Sequence, residues 1–308
     1  MVSGTPGIIC VGLAVMDQIY SVERLPEVPA KHFATACREV GGGPAANAAV
    51  AIARLGGSAR LWSRVGDDLV GERIVRELEL EGVGVTGIRR IPDAQSGCSA
   101  IIVDTGGERM IVNFRGDRMD PDPSWLPVSE IRGADAVLGD LRWPEGSLRA
   151  LAEARRFEIP ALLDADATPA REGADVFAAA NYILFSSQGL LEFTGLTEIE
   201  NALRLAASRT DAWVGVSAGN DGLYWLERER VRHLPAFAVD VVDTLGAGDV
   251  LHGAFALALA RSERIEGALR FASAAAALKC SRPGGRTGAP SADEVEDFLE
   301  AHADAAEG

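Results

Sequence analysis

The sequence predicts an α/β fold in which a mostly parallel sheet is packed between helices, with a small separate β-sheet beside it. Two observations carry this. From residue 130 onward, strand-like and helical runs alternate, in the order ADAVLGD, SLRALAEARRF, PALLDAD, a further helical stretch, YILFSS, LLEFTG and IENALRLAAS, the mark of βαβ units. Upstream, residues 31–40 and 96–114 are less apolar, and Asp104-Thr105-Gly106-Gly107 separates SGCSAIIV from RMIVNF. That is a hairpin signal, and the two segments together predict the small sheet.

The elements follow in order. Residues 7–14 form an apolar, β-branched run that reads as a buried first strand, with Asp17 following at its carboxyl end. Gly41-Gly42-Gly43-Pro44 feeds AANAAVAIARLG, whose apolar residues recur at helical spacing until Gly56-Gly57 stop it. The stretch AWVGVSAGNDGLYWLERERVRHLPAF reads as short strands joined by turns at 220–222 and 227–229, an antiparallel edge on the main sheet. AVDVV is strand-like. Helices are expected over residues 247–261, 265–281 and 292–303, with the loop RPGGRTGAP before the last.

Composition narrows the function. Of 308 residues, 47% are hydrophobic and 24% charged, close to globular averages. Asp and Glu outnumber Lys and Arg by 45 to 30, a net charge of −15 that repels nucleic acid, so an anionic ligand needs a local cluster of donors. Cys10, Cys37, Cys98 and Cys280 are scattered without metal-type spacing and read as reduced thiols of a cytoplasmic protein. The amino terminus lacks the basic start and long apolar core of a signal peptide, and no run reaches about 18 apolar residues, so no membrane association is expected.

The strongest chemical signal is Asp243-Thr244-Leu245-Gly246-Ala247-Gly248-Asp249, which runs into the helix VLHGAFALALA. A helix start leaves amides unpaired and carries partial positive charge, so the amides of Gly246, Ala247 and Gly248 can cradle an anion. Asp249 then stands where a base for phosphoryl transfer is needed. An aspartate stabilised by the helix dipole accounts for it equally well in isolation.

DTLGAGD resembles the C-terminal signature of the PfkB, or ribokinase-like, carbohydrate kinases, and GGGPAAN resembles their N-terminal signature. The resemblance spans essentially the whole chain. It implies a ribokinase-like, doubly wound three-layer sandwich forming one domain over residues 1–308, with lid segments at about 15–41 and 93–118 inserted in the core. It also implies an ATP-dependent sugar kinase with Asp249 as base and the loop Gly246, Ala247, Gly248 as anion hole. Asp17, Gly42, Gly43 and Asn47 match sugar-binding positions. Ser217, Gly219 and Gly222 of VSAGNDG, with Thr244, Gly246, Gly248 and Gly285, fall on the nucleotide side. The loop 282–290 resembles a segment flanking the adenine and, in many members, a monovalent-cation site such as one for K+. Family members often pair through the lid, which implies a homodimer.

One departure stands out: where many members carry Asn-x-x-Glu to order Mg²⁺, this chain reads Ser186-Ser187-Gln188-Gly189. Mg²⁺ held on the ATP phosphates then falls to Asp164, Asp166 or Asp243, although Asp164 and Asp166 read equally well as turn carboxylates. Within the family, GLAVMDQIY, REVGGGPAA, VDTGGERMIVNF, LRWPEG and LKCSRPGGRTG look closest to the sulfofructose kinase branch, which phosphorylates C1 of 6-deoxy-6-sulfofructose. Lys31, Asn113 and Arg142 match its sulfonate pocket, a chemically sensible donor set. The same pocket suits fructose 6-phosphate or tagatose 6-phosphate, and a neutral sugar stays open. A non-catalytic sugar or nucleotide sensor is the competing class. A dinucleotide-binding oxidoreductase is disfavoured, because the glycine cluster follows a lid segment rather than the first core strand.

Overall fold

A computed structural model describes residues 4–167 and 174–303. The first half runs β1 (Gly7–Val11), β2 (Val15–Ser21), β3 (Ala36–Gly42), α1 (Pro44–Arg54), β4 (Ser58–Gly66), α2 (Leu69–Leu80), β5 (Gly84–Ile91), β6 (Cys98–Val103) and β7 (Arg109–Phe114). The second half runs β8 (Ala136–Asp140), α3 (Pro144–Arg156), β9 (Ala161–Ala165), α4 (Ala174–Ala179), β10 (Tyr182–Ser186), α5 (Ser187–Thr194), α6 (Ile199–Ala207), β11 (Trp213–Ser217), β12 (Leu223–Glu227), β13 (Arg230–Leu234), α7 (Ala247–Ala260), α8 (Ile265–Cys280) and α9 (Ala292–Ala301).

Nine strands form one sheet in the order β13-β12-β11-β10-β9-β8-β1-β4-β5, parallel from β11 to β5 with an antiparallel edge at β12 and β13. The central strands are apolar throughout because both faces are covered. In β1, Ile8 and Cys10 pack into the layer of α1, α2, α7, α8 and α9, while Ile9 and Val11 pack into the layer of α3 to α6. The result is the mostly parallel sheet that the alternation predicts, in the three-layer sandwich that the family resemblance implies. Residues 58–91 add a β-α-β unit that the sequence pattern did not single out.

Four strands form the second sheet, in the order β3-β2-β6-β7. The hairpin at residues 104–107 joins β6 to β7 in antiparallel register, as its turn chemistry predicts. Two expectations fail. Asp17 does not end the first strand: β1 stops at Val11, and Asp17 sits inside β2 of the small sheet. AVDVV is no strand, because it has no sheet neighbour. The amides of Val242 and Asp243 donate instead to the Cys280 carbonyl at the end of α8, and Val241 and Val242 stay exposed.

Candidate active site

The chain leaves β1 towards β4 on one side and β8 towards β9 on the other, so the crevice between β1 and β8 is the switch point where α/β sheets bind ligands. Asp140, the last residue of β8, closes its floor. The buried carboxylate accepts the amides of Leu13 (2.8 Å), Ala45 (3.1 Å) and Arg142 (2.8 Å). Burial raises its pKa and these three amides oppose the rise. A Cβ on Gly12 would lie 2.1 Å from Asp140 Oδ2, so this position requires glycine. The α1 N-terminus has Gly43 as its cap, with no side-chain hydrogen bond, and Asp140 takes that part.

α1 and α7 pack closely through small side chains. A Cβ on Gly253 would lie 2.6 Å from the Ala48 carbonyl oxygen. This approach brings Asn47 of α1 against Asp249 in the first turn of α7: Asn47 Nδ2 donates to Asp249 Oδ2 at 2.6 Å. Burial raises the Asp249 pKa, while the Asn47 bond and the positive field of His252 hold it down. The other Asn47 atom, Oδ1, is buried and has no hydrogen-bond partner among the described residues. It is an acceptor waiting for a hydroxyl donor.

Gly246 caps α7 at φ 78°, a left-handed conformation that favours glycine. The predicted trio of amides is modified. Ala247 N–H already donates to the Thr244 carbonyl (3.2 Å), whereas Gly246, Gly248 and Asp249 keep their amides free among the described residues. Thr244 accepts from Arg109 of β7, and Gly285 N–H donates to Asp243 Oδ2 (3.3 Å), so both stand beside this loop. Ser217 ends β11, and Gly219 and Gly222 form the turn after it, where Gly222 faces the Leu234 carbonyl too closely for a Cβ.

A cavity of about 370 Å³ separates the small sheet from the α7 N-terminus. Alternate residues of each strand line it: Val15 and Asp17 of β2, Ser99 and Ile101 of β6, Ile111 and Asn113 of β7 with Arg115 beyond. Gly43, Asn47, Arg142, Gly246 and Asp249 line the opposite wall. Asp17 is buried, which raises its pKa; the Ser99 hydroxyl and Arg286 act against that. Gly42 leaves room for this carboxylate, since a Cβ there would sit 2.1 Å from Asp17 Oδ2. Gly41 does the same for the buried guanidinium of Arg286, which bonds Glu77 at 3.2 Å.

Of the three predicted donors for a distal anion, Asn113 and Arg142 line this cavity and Lys31 does not. Lys31 lies in the exposed connection between β2 and β3, without a bonded partner among the described residues. Arg115 takes a cation's place in the cavity instead. The two-residue period from Ile111 through Asn113 was the signal that could have found it. Arg142 Nη2 also donates to Asp166 Oδ2 at 3.0 Å.

The predicted metal acids do not converge, and no group of three His, Cys, Asp or Glu side chains forms a metal cluster among the described residues. Asp243 is spent on the amides of Leu245, Gly284 and Gly285, which with the nearby Lys279 hold its pKa below the usual range. Asp164 is buried beneath the site, its pKa pushed up to about 7 chiefly by burial. Its Oδ1 lies 3.4 Å from His252 Nε2. His252 Nδ1 faces the Gly248 carbonyl (2.8 Å) and Nε2 the Leu184 carbonyl (3.0 Å); burial opposes the charged ring, but the Asp164 charge and these two acceptors favour it and raise its pKa. Only Asp166 keeps a half-exposed carboxylate.

Comparison with known proteins gives a family and a fold. Residues 5–292 match the model of the pfkB family carbohydrate kinases. The chain is 32% identical to the ribokinase of Bacillus subtilis, over 94% of this chain and 99% of that protein. It is 31% identical to the ATP-dependent ribose-1-phosphate kinase of Halopiger xanaduensis, over 95% and 97%. A solved structure from Agrobacterium tumefaciens, 38% identical, superposes with a TM-score of 0.94 over 98% of this chain and 99% of that one.

Proposed function

The chain belongs to the pfkB family of carbohydrate kinases and is an ATP-dependent sugar kinase, and from that premise we propose that its acceptor is a sugar bearing a distal anion, 6-deoxy-6-sulfofructose, phosphorylated at C1. One observation carries the reading: Asn113, Arg115 and Arg142 share a single cavity with Asp249 and the unpartnered Asn47 Oδ1. A planar guanidinium with a second cation and an amide is a donor set for a sulfonate, and an aspartate with an amide suits sugar hydroxyls. Lys31, on the exposed connection between β2 and β3, lies outside that set.

In the step itself, Asp249 accepts the proton of the attacking hydroxyl as its oxygen bonds to the γ-phosphorus and the bond to the ADP oxygen breaks. The free amides of Gly246, Gly248 and Asp249, at the positive end of α7, stabilise the charge on the transferring group. Mg²⁺ carried on the nucleotide phosphates would neutralise their charge, and Asp166, the most exposed of the predicted acids, would face it. Thr244, Gly285 and the 217–222 turn border the nucleotide. The edge strand β7 leaves Met110, Ile111, Val112 and Phe114 exposed, which supports a homodimer through the small sheet.

A neutral sugar is the second reading, favoured by the Arg142 to Asp166 ion pair, which already balances that cation, and by the name of the Bacillus relative. The test is ADP release with 6-deoxy-6-sulfofructose, fructose 6-phosphate, tagatose 6-phosphate, ribose and fructose. Turnover chiefly on sulfofructose is expected, with Arg142→Met raising KM for it about 10–100-fold. Preference for a neutral sugar, or an Arg142→Met enzyme with unchanged KM, would remove the anion pocket and leave the kinase.

A further inference from the structure

The resemblance implies a monovalent-cation site of backbone carbonyls near the loop 282–290, and the donor set there does not fit a free ion. Lys279, in the last turn of α8, has no exposed surface. Its ammonium donates to the carbonyl of Asp243 (2.7 Å) and faces that of Arg282 (3.3 Å), with Asp243 Oδ2 at 3.9 Å. Two of these are backbone carbonyls of the loops entering α7 and α9, the kind of oxygen such a site would use. An added cation would have to share them with an existing positive charge a few ångströms away.

We propose that the Lys279 ammonium is a built-in cation, covalently supplied by α8, that does for this enzyme what a bound potassium ion would do: hold the loop entering α7 against the loop entering α9. Ammonium and potassium carry the same charge and are similar in size, so one can stand where the other would. The placement has a direct route to the reaction. Asp243 begins the segment that ends at Gly246, the cap of α7, and its carboxylate accepts the amides of Leu245, Gly284 and Gly285. Fixing the Asp243 carbonyl therefore fixes the backbone that carries the free amides and Asp249. Burial lowers the Lys279 pKa, while the neighbouring Asp243 charge acts to keep the ammonium. Gly288 packs against the Lys279 stem, where a Cβ would meet Cδ at 3.1 Å. Lys279 is thus a positioning residue, and it touches no substrate.

The inference rests on kinase activity and not on which sugar is used, so the assay takes whichever sugar turns over fastest. Wild-type ADP release is measured with K+ replaced by tetramethylammonium at constant ionic strength. The expected change is less than about twofold, because the site already holds its charge. Lys279→Met, which keeps an unbranched apolar stem, is expected to lose about tenfold or more in kcat without K+ and to regain most of it when K+ or NH₄+ is added. A purely structural role would not give that cation rescue. Should Lys279→Met fail to fold, the wild-type rate, together with its melting temperature in K+ against tetramethylammonium, still decides. A wild-type enzyme activated tenfold or stabilised by K+ overturns the proposal, as does a folded Lys279→Met enzyme indifferent to K+.

Discussion

Gly253 faces Ala48 where α7 packs on α1, and the added methyl of Gly253→Ala would lie 2.6 Å from the Ala48 carbonyl oxygen and 3.1 Å from its Cα. Both are backbone atoms, so no side chain can swing away. Carbon to oxygen contacts settle near about 3.3 Å, so the helices must part by about 0.7 Å. Overpacking of this kind costs about 1–3 kcal/mol, offset by the better helix propensity of alanine at about 0.8–1.0 kcal/mol. The net loss of about 0–2 kcal/mol corresponds, at about 0.65 kcal/mol per kelvin for a chain of 308 residues, to a melting temperature lower by up to about 3 °C. The same displacement stretches the 2.6 Å bond between Asn47 and Asp249, and sub-ångström misplacement of a catalytic group costs about 10–100-fold in kcat/KM. Thermal melting and ADP-release kinetics on one preparation read both effects. A Gly253→Ala enzyme that melts at or above wild type with full turnover would refute the claim that this contact sets the catalytic pair.

Asp249→Asn should lower kcat by at least about 10²-fold while leaving the melting temperature near wild type; a variant retaining most of its turnover would deny Asp249 the role of base. The pH profile follows from the same carboxylate. Its active form is ionised and burial raises its pKa, so kcat/KM should fall on acidification at a higher pH than for a solvent-exposed aspartate. Asn47→Leu removes a bond that lowers this pKa, so the acid limb should move to still higher pH; an unmoved limb would mean that another group titrates.

Much of the fold can be read from local pattern. β8, β9 and β10 are apolar runs bounded by helices, and burial on both faces dictates that composition. β6 and β7 carry their own turn. AVDVV misleads because its β-branched residues sit on an exposed loop, where the Val242 amide donates to the Cys280 carbonyl at the end of α8 instead of to a neighbouring strand. Within the site, Asp249 and its glycines are legible because the helix start and the acid are adjacent in sequence. Asp140 and Asp164 show where legibility stops. Each lies at the end of an apolar strand, yet one accepts the Leu13 amide from 127 positions away and the other faces His252. Nothing local separates them, because their partners come from other layers. Lys279, inside the helix expected over 265–281, and Arg286, in the loop after it, carry no local signal of the burial the fold gives them.

The bond between Asn47 and Asp249 joins residues 202 positions apart, and that separation has a consequence for synthesis. Contacts so remote form only after the intervening chain has been made and docked. A nascent chain still lacking α7 carries sugar-side groups in its glycine loop and small sheet but neither base nor anion hole, so it cannot transfer a phosphoryl group. The order of residues along the polypeptide thereby withholds chemistry from every incomplete chain, and no amino-terminal fragment ending before α7 is a kinase in miniature.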